Sequence, residues 1–289
     1  MDELKGKTVL ITGATNGIGK VAALEIAKKG AEVVLVGRNP GKTGQVVQQV
    51  KEISSNPAVD GLVADLSSMA QVRQLAQAFH QKYPRLHVLI NNAGGIFANR
   101  TLTIDGYEYT FALNHLAYFM LTNLLSDLLL ANAPARIINV SSRSHEGAVL
   151  DFNDLQNARH YSYGGYRAYG QSKLANLLFT YELARRLSGT GVTVNALHPG
   201  TVATGFGQNN GGAMRVGMSI YHQFSLTPEQ GADTIVYLAS SPQVEGITGK
   251  YWTKRKAVPS SLESYAEDAQ KRLWAVSAQM TGILEIVHA

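Results

Sequence analysis

The sequence predicts the α/β class, as one doubly wound domain that spans residues 1–289. Seven short runs rich in β-branched residues recur along the chain, and helix-length stretches separate them. The runs are continuously apolar, which is typical of parallel strands covered on both faces. Strands that alternate with helices indicate right-handed βαβ units, and we find no linker or internal repeat. We therefore expect a single seven-stranded parallel sheet flanked by helices.

The predicted elements follow one another in a regular order. The predicted strands are Thr8–Thr12, Glu32–Val36, Asp60–Ala64, His87–Ile90, Arg136–Val140, Val192–Ala196 and Ile247–Trp252. The predicted helices are Ile18–Lys29, Gly41–Ile53, Ser67–Lys82, Gly106–Ala131, Tyr166–Leu187 and Pro228–Ala239. Residues that favour helix starts agree with these bounds, because Asp65 and Ser67 stand at one start and Thr227 with Pro228 at another.

Three segments fall outside this alternation. Residues 143–165 lack clear periodicity and predict a long loop at the top of the sheet. Residues 205–226 combine five glycines with apolar side chains, which predicts a substrate lid. A loop followed by an ordinary amphipathic helix on the core would explain that pattern equally well, since periodicity does not separate a core face from a pocket wall. Residues 260–282 have helical spacing of apolar side chains and predict a peripheral C-terminal helix.

The composition limits the chemistry that the chain can perform. With 45% hydrophobic and 16% charged residues, the chain is neither disordered nor short of core material. It has no cysteine, which excludes disulfides, thiolate metal sites and cysteine nucleophiles, and it shows no metal-ligand spacing. Redox chemistry would therefore need a bound cofactor. The net charge of 26 − 21 = +5 suits a phosphorylated small molecule, and without a clustered basic stripe we expect no nucleic-acid binding.

The sequence also predicts where the protein works. No apolar signal segment stands at the N-terminus. The longest apolar stretch, residues 116–134, is broken by Asn123, Asp127 and Asn132, so it does not predict a membrane span. We expect a cytoplasmic protein without a membrane anchor.

A glycine motif follows the first predicted strand. In Thr12–Gly19 the glycines stand at positions 13, 17 and 19, spaced four and then two apart. A tight backbone before a helix N-terminus lets free N–H groups and the helix dipole hold the oxygens of a pyrophosphate. An ordinary glycine-rich turn would look similar, but the position after the first strand favours a dinucleotide site.

A tyrosine and a lysine share one face of a predicted helix. Tyr169 and Lys173 stand four residues apart, so the phenol and the ammonium can point into one site. A free tyrosine has a pKa of about 10, and a nearby cation lowers it by roughly 1–3 units. Taken alone, the pair would be interpreted as a solvated surface pair.

Six motifs stand in a fixed order along nearly the whole chain. They are the glycine motif, Asn91-Asn92-Ala93-Gly94, Asn114, Val140-Ser141-Ser142, Tyr169 with Lys173, and Pro199-Gly200-Thr201-Val202-Ala203-Thr204. This series resembles the short-chain dehydrogenase/reductase family. Within the family, the chain is most similar to the retinol-dehydrogenase-like branch, because of the sequences at residues 136–142, 172–176 and 198–200. The resemblance implies a Rossmann-type fold that binds a nicotinamide cofactor.

The resemblance also implies a role for four residues. Tyr169 would exchange the proton of the substrate oxygen while hydride moves between nicotinamide and carbon. Ser142 would hydrogen-bond that oxygen, whereas Ser141 on the opposite strand face would only support it. Lys173 would lower the pKa of Tyr169 and hold the nicotinamide ribose. Asn114 would position a water that links the lysine to solvent.

The same resemblance implies the cofactor contacts. Asp65 would receive the adenine amino group, Asn91, Ala93 and Gly94 would line the adenosine ribose, and Val202 and Thr204 would fix the carboxamide. Asn92 and His198 are expected to be structural. The full set of predicted cofactor-binding residues is Gly13, Thr15, Asn16, Gly17, Ile18, Gly19, Arg38, Asp65, Leu66, Asn91, Ala93, Gly94, Tyr169, Lys173, Pro199, Gly200, Val202 and Thr204.

The end of the second predicted strand favours NADP(H) over NAD(H). It reads Val36-Gly37-Arg38-Asn39, with glycine where NAD-binding proteins place an acidic residue and with arginine next to it. An arginine fork suits the oxygens of a 2′-phosphate. Asn16 departs from this pattern, since many NADP-dependent relatives have a second basic residue there.

The predicted function is an NADP(H)-dependent oxidoreductase that acts on a carbonyl or alcohol. The apolar lid segment favours a bulky apolar substrate, such as a ketone, an aldehyde or a retinoid-like compound. The alternative is a catalytically silent NADP-binding regulatory module of the same fold. Both a monomer and a homodimer are compatible with the sequence.

Overall fold

The computed structural model describes residues 3–161, 163–200 and 226–283. One sheet runs through the molecule, with the strand order β3-β2-β1-β4-β5-β6-β7-β8. The strands are β1 Thr8–Thr12, β2 Glu32–Gly37, β3 Val59–Val63, β4 Val88–Asn91, β5 Ala135–Val140, β6 Val192–Leu197, β7 Lys250–Thr253 and β8 Lys256–Val258. The order reverses direction between β1 and β4, which creates a crevice at the carboxyl ends of these strands. The Rossmann-type α/β fold is therefore confirmed.

The prediction of seven strands was wrong by one. The added strand, β8, pairs antiparallel with β7, so that Tyr251 faces Val258. Lys254 and Arg255 form the turn between them with φ values of 48° and 60°, a backbone that glycine or asparagine usually signals in a hairpin. The Arg255 side chain forms an ion pair with Asp233, and its amide donates to Thr234. Tertiary contacts thus stabilise a turn that the local sequence does not predict.

Helices cover both faces of the sheet. They are α1 Gly17–Lys28, α2 Pro40–Ser54, α3 Met69–Lys82, α4 Tyr109–Phe111, α5 Ala117–Leu124, α6 Ser126–Ala131, α7 Tyr166–Arg186, α8 Pro228–Ser240 and α9 Glu267–Thr281. α1, α2 and α8 pack on one face, and α3, α5, α6, α7 and α9 pack on the other. Strand β1 shows the division: Val9 and Ile11 belong to the first core, whereas Leu10 belongs to the second.

The helix predicted at Gly106–Ala131 is not continuous. A π turn at Ala112–Leu116 separates α4 from α5, and the Ala117 amide bonds to the carbonyl of Ala112, five residues back. Such turns occur mostly as single inserts in α-helices, frequently at functional sites. Side-chain hydrogen bonds to Asn114, described below, hold this turn, so hydrophobic periodicity alone does not reveal it.

The segment before α7 and the C-terminal helix α9 both pack against the core. The segment before α7 contains short 3₁₀ turns at Arg143–His145 and Tyr163–Gly165, and its Leu155 is buried with residues of α7. On α9, Leu273 and Trp274 are buried, and Trp274 contacts Phe119 and Phe179. Within the described ranges, no helix combines the length and apolarity that a membrane crossing requires.

Candidate active site

The glycine motif folds into a tight loop between β1 and α1. Gly13 has a φ of 66°, and a Cβ atom there would lie 2.7 Å from Cα of Ala93. A Cβ atom on Gly19 would lie 2.4 Å from the Gly13 carbonyl oxygen. These contacts leave no room for larger side chains, so the glycines bring the loop, β4 and α1 together.

The N-terminus of α1 keeps its N–H groups available. Asn16 stands at the N-cap with an extended backbone, but its side chain makes no capping hydrogen bond, and the first turn has no acidic residue. By contrast, Asn39 caps α2 and Ser68 caps α3 through their side chains. Free N–H groups at the positive end of the helix dipole suit the oxygens of a pyrophosphate. The residues present therefore fit the phosphate end of a dinucleotide.

Two side chains brace this loop from neighbouring strands. The Thr12 hydroxyl accepts hydrogen bonds from the amides of Asn92 and Ala93 at 2.9 and 3.1 Å. The Asn92 side-chain amide donates to the carbonyls of Thr12 and Gly13 at 2.8 and 3.2 Å. The structural role expected for Asn92 agrees with these contacts.

The side chain of Asn91 is turned into the sheet, and the expected contact of this residue with the adenosine ribose stays a prediction. The side chain is fully buried and donates to Thr122 and Asn139 at 2.9 Å each. It therefore joins β4 to β5 and α5, and only its backbone is left for the adenosine side. Ala93 and Gly94 follow it at the carboxyl end of the strand, where the crevice lies.

The end of β2 has no space for an acidic side chain. A Cβ atom on Gly37 would lie 2.3 Å from the Thr15 methyl carbon and 2.4 Å from the Thr43 hydroxyl oxygen. The next residue, Arg38, has a side chain that is 66% exposed, with Nη1 3.2 Å from the Tyr109 hydroxyl and 3.9 Å from Asp65 Oδ2. Its guanidinium is thus held at the edge of the crevice but remains open to solvent.

Asp65 and Leu66 follow β3 at the same edge of the sheet. The Asp65 carboxylate accepts hydrogen bonds from the amide and hydroxyl of Ser67 at 3.0 and 2.7 Å. Leu66 is buried in the core formed with α3, and Ile18 packs on the opposite core. Arg38, Asp65 and the glycine loop therefore line one continuous edge, as the order of the strands requires.

The two adjacent serines that follow β5 point to different partners. The Ser141 hydroxyl is buried and donates to the Lys173 carbonyl at 2.8 Å, so it ties the strand to α7. The Ser142 hydroxyl hydrogen-bonds the Tyr169 phenol and also contacts Ser144 at 3.2 Å. Strand alternation thus separates a supporting serine from one that faces the tyrosine.

Lys173 lies beside Tyr169 in a buried position. Its Nζ atom donates to the Val140 carbonyl at 3.0 Å and lies 5.5 Å from the centre of the Tyr169 ring. Burial lowers the pKa of Lys173 to about 7, because the ammonium loses its hydration. Burial also raises the pKa of Tyr169 to about 12, although the hydrogen bond from Ser142 lowers it. The lowering expected from Lys173 does not contribute to this shift, and desolvation of the phenolate dominates the pKa of Tyr169.

Asn114 sits in the π turn and joins three parts of the site. Its side chain forms paired hydrogen bonds of 2.9 Å with the backbone of Gly95, and its amide donates to Ser172 at 3.0 Å. A Cβ atom on Gly94 would lie 2.9 Å from Asn114 Oδ1 and 3.5 Å from Lys173 Nζ. Asn114 and Lys173 therefore meet around Gly94.

The segment after β6 is described only in part. Pro199 and Gly200 follow the strand, and Gly200 has a φ of 85°. His198 accepts a hydrogen bond from the Arg143 amide at 3.3 Å, which joins the ends of β5 and β6, and burial lowers its pKa to about 4. Val202, Thr204 and residues 205–225 of the predicted lid lie outside the described residues.

Comparison with known proteins identifies the family. A family model for the short chain dehydrogenases matches residues 7–214. The chain belongs to this family. The short-chain dehydrogenases are oxidoreductases that use a nicotinamide cofactor, which agrees with the uncapped N-terminus of α1 and with the position of Tyr169 beside Lys173.

Relatives at about 40% identity place this short-chain dehydrogenase in the retinol-dehydrogenase-like branch. It is 40% identical to human retinol dehydrogenase 14 over 302 residues, covering 98% of this chain and 88% of the relative. It is 41% identical to human retinol dehydrogenase 13 over 285 residues, covering 97% and 86%. These similarities support an oxidoreductase that acts on CH–OH groups.

Solved structures agree with the fold of this short-chain dehydrogenase. An uncharacterised protein from Mycobacterium paratuberculosis superposes with a TM-score of 0.77 at 31% identity, covering 96% of this chain and 94% of that one. A short chain dehydrogenase from Escherichia coli, crystallised with NADPH, gives 0.68 at 27% identity, covering 87% and 97%. The likeness extends over most of both chains in each comparison.

Three residues of the site were missed by sequence reasoning. Ser172 accepts from Asn114, Asn176 donates to the Asn114 carbonyl, and the Tyr118 ring lies against Lys173. Helical spacing contained a signal for two of them, because Tyr118 stands four residues after Asn114 and Asn176 three residues after Lys173. The partner of each residue, however, lies on another element.

Proposed function

We propose that this chain is an NADP(H)-dependent oxidoreductase that interconverts a bulky apolar alcohol and its carbonyl compound. The observation that carries the proposal is the contact of the Ser142 hydroxyl with the Tyr169 phenol, beside the buried Lys173 ammonium. A proton donor, a hydrogen-bond donor and a cation then converge where a carbonyl oxygen would develop negative charge.

The residues have distinct roles in reduction. Bound NADPH would supply the hydride that reaches the carbonyl carbon. Tyr169 donates its proton to the carbonyl oxygen, and Ser142 hydrogen-bonds the same oxygen as charge develops on it. Lys173 stabilises the phenolate left on Tyr169 and holds the ribose, while Asn114 keeps the lysine and the Gly94 backbone in place. In oxidation the proton moves in the opposite direction.

The cofactor preference rests on the end of β2. An acidic side chain at position 37 would collide with Thr15 and Thr43, so the usual partner of an NAD ribose has no room. Arg38 offers an exposed guanidinium that suits the 2′-phosphate of NADP(H). The neighbouring Asp65 carboxylate lies 3.9 Å from Arg38 Nη1 and forms an ion pair with it.

The substrate class follows from the relatives and the site. The names of retinol dehydrogenases 13 and 14 give retinol, a long apolar alcohol, as their substrate. This chain shares about two fifths of their residues over nearly its full length. We extend that chemistry to this chain and keep residues 205–226 as the segment that would close over an apolar substrate.

The experiment compares kcat/KM for NADPH and NADH with a series of aldehydes from short to long. We expect NADPH to be preferred, long aldehydes to be favoured, and Arg38→Ala to remove the preference for NADPH. Arg272→Ala, which changes an exposed arginine on α9, is the matched control. Equal values for both cofactors in the wild type would contradict the NADP(H) assignment. Absence of turnover with every aldehyde, together with tight NADPH binding, would favour the regulatory module.

A further inference from the structure

Lys173 is enclosed by two aromatic rings that come from different helices. Its Nζ atom lies 5.5 Å from the centre of the Tyr169 ring on α7 and 5.8 Å from the centre of the Tyr118 ring on α5. Both distances are within the range in which a cation is attracted by the face of an aromatic ring. Both rings are also buried, with relative exposures of 8% and 1%, so little water competes for the ammonium.

The Tyr118 hydroxyl has no visible function of its own. It is buried, and within the described part of the chain it has no hydrogen-bond partner. Phenylalanine would fill the same space without leaving a buried polar atom unpaired, so the hydroxyl offers no explanation for this side chain. The ring, by contrast, has a specific neighbour in the Lys173 ammonium.

The surroundings of Lys173 supply little else to hold its charge. Its Nζ atom donates one hydrogen bond to β5, to the carbonyl of Val140 at 3.0 Å. The π turn presents the amide side chain of Asn114, and the segment after β4 presents the backbone of Gly94. The titratable groups that face the ammonium are Tyr169 from its own helix and Tyr118 from α5, and no carboxylate of the described residues contributes to the shift of its pKa.

We propose that Tyr118 is a positioning residue whose ring holds the charged Lys173 ammonium next to Tyr169 through a cation–π contact. The inference rests on the proposed function, because it assigns Lys173 to the catalytic pair. It concerns the chain without substrate, however, and can be tested without turnover. The ring, and not the hydroxyl, is the active part.

The test is an NMR titration of the full chain with lysine labelled with ¹³C at Cε. The signal of Lys173 is assigned by its loss in Lys173→Arg. We expect Tyr118→Leu to lower the titration midpoint of Lys173 by about one pH unit, because losing the ring removes an attraction worth roughly that much in a desolvated site. Tyr118→Phe keeps the ring and should titrate as the wild type does.

A matched control separates the contact from general loosening of the core. Phe119→Leu removes a neighbouring buried ring that contacts Phe179 and Trp274, and it should leave the midpoint of Lys173 unchanged. If Tyr118→Leu does not fold, Tyr118→Met fills the space with a flexible apolar chain and tests the same contact. Folding of each variant is checked by urea unfolding.

Two results would overturn the proposal. One is a wild-type midpoint in a folded Tyr118→Leu or Tyr118→Met variant. The other is an equal shift in Tyr118→Phe, which would assign the effect to the hydroxyl. Neither result bears on the proposed function, which is tested separately by the oxidoreductase activity and cofactor preference of the wild type and by the activity of Tyr169→Phe.

Discussion

The side-chain amide of Asn176 donates a hydrogen bond of 2.9 Å to the main-chain carbonyl of Asn114. Asn176 lies on α7, which also presents Tyr169 and Lys173, and Asn114 lies in the π turn that interrupts the preceding helix. Asn176 also contacts the buried ring of His115 at 3.3 Å. One buried amide therefore fixes the distance between the turn and the helix that bears the proposed proton donor.

Replacing Asn176 should destabilise the protein measurably. Asn176→Ala leaves the Asn114 carbonyl and His115 without this partner, and an unpaired buried polar group costs about 1–3 kcal/mol. Urea unfolding would measure the loss in the free energy of unfolding. Asn153→Ala, at an exposed position of the loop before α7, is the control and should change little. Equal stability of the two variants would show that the amide bond is dispensable.

Tyr169→Phe should abolish most turnover without preventing cofactor binding. The ring keeps its packing, but the proton donor is lost, and general acid–base catalysis typically contributes roughly 10²–10⁴ in rate. Steady-state kinetics and NADPH fluorescence titration would measure the two effects. Tyr166→Phe removes a hydroxyl from the same helix at a residue that is 59% exposed, and it should behave as wild type. Retention of near-normal activity by Tyr169→Phe would refute its assignment.

Gly19→Ala should damage both stability and cofactor binding. The added methyl group would meet the Gly13 carbonyl at 2.4 Å and the Asn92 amide at 2.5 Å, and overpacking of this kind typically costs about 1–3 kcal/mol. In Gly44→Ala the methyl group meets nothing within 4 Å. Because alanine favours the interior of a helix, that change should stabilise the protein by about 0.5–1 kcal/mol. Unfolding midpoints for both variants, with and without NADPH, test the contrast.

The buried lysine should make stability depend on pH. The pKa of Lys173 is about 7 in the folded chain, whereas an unfolded lysine has a pKa of about 10.4. Between these values the unfolded chain binds one more proton, so this group makes the free energy of unfolding rise with pH by about 1.4 kcal/mol per unit. Below pH 7 both states are protonated, and this contribution is at its minimum.

Lys173→Met removes the titrating group and isolates its contribution. The stability of wild type relative to the variant should rise as pH increases from 7 towards 10, measured by urea unfolding at several pH values. The comparison is limited to pH values below 10. Above pH 10 the raised pKa of Tyr169 makes the free energy of unfolding fall as pH rises, which opposes the effect of Lys173. Parallel stability curves for the two proteins would contradict a depressed pKa at Lys173.

Much of the site could be predicted because its motifs are local. The strand-to-helix glycine loop, the tyrosine and lysine four residues apart, and the serine pair each reveal their geometry through short-range spacing. Contacts between elements were harder to predict. The burial of the Asn91 side chain and the bonds that hold the π turn depend on which strands and helices become neighbours.

The sequence by itself determined the alternating α/β layout, the position of the glycine loop after the first strand and the family, because these depend on periodicity and on motifs whose residues lie close together along the chain. The tertiary structure alone decided the eighth strand, the π turn and the packing of Tyr118 against Lys173. Each of these depends on groups brought together from distant parts of the chain. The same distinction applies to Gly37. The sequence shows that position 37 has no acidic side chain, and the structure shows that such a side chain would collide with Thr15 and Thr43.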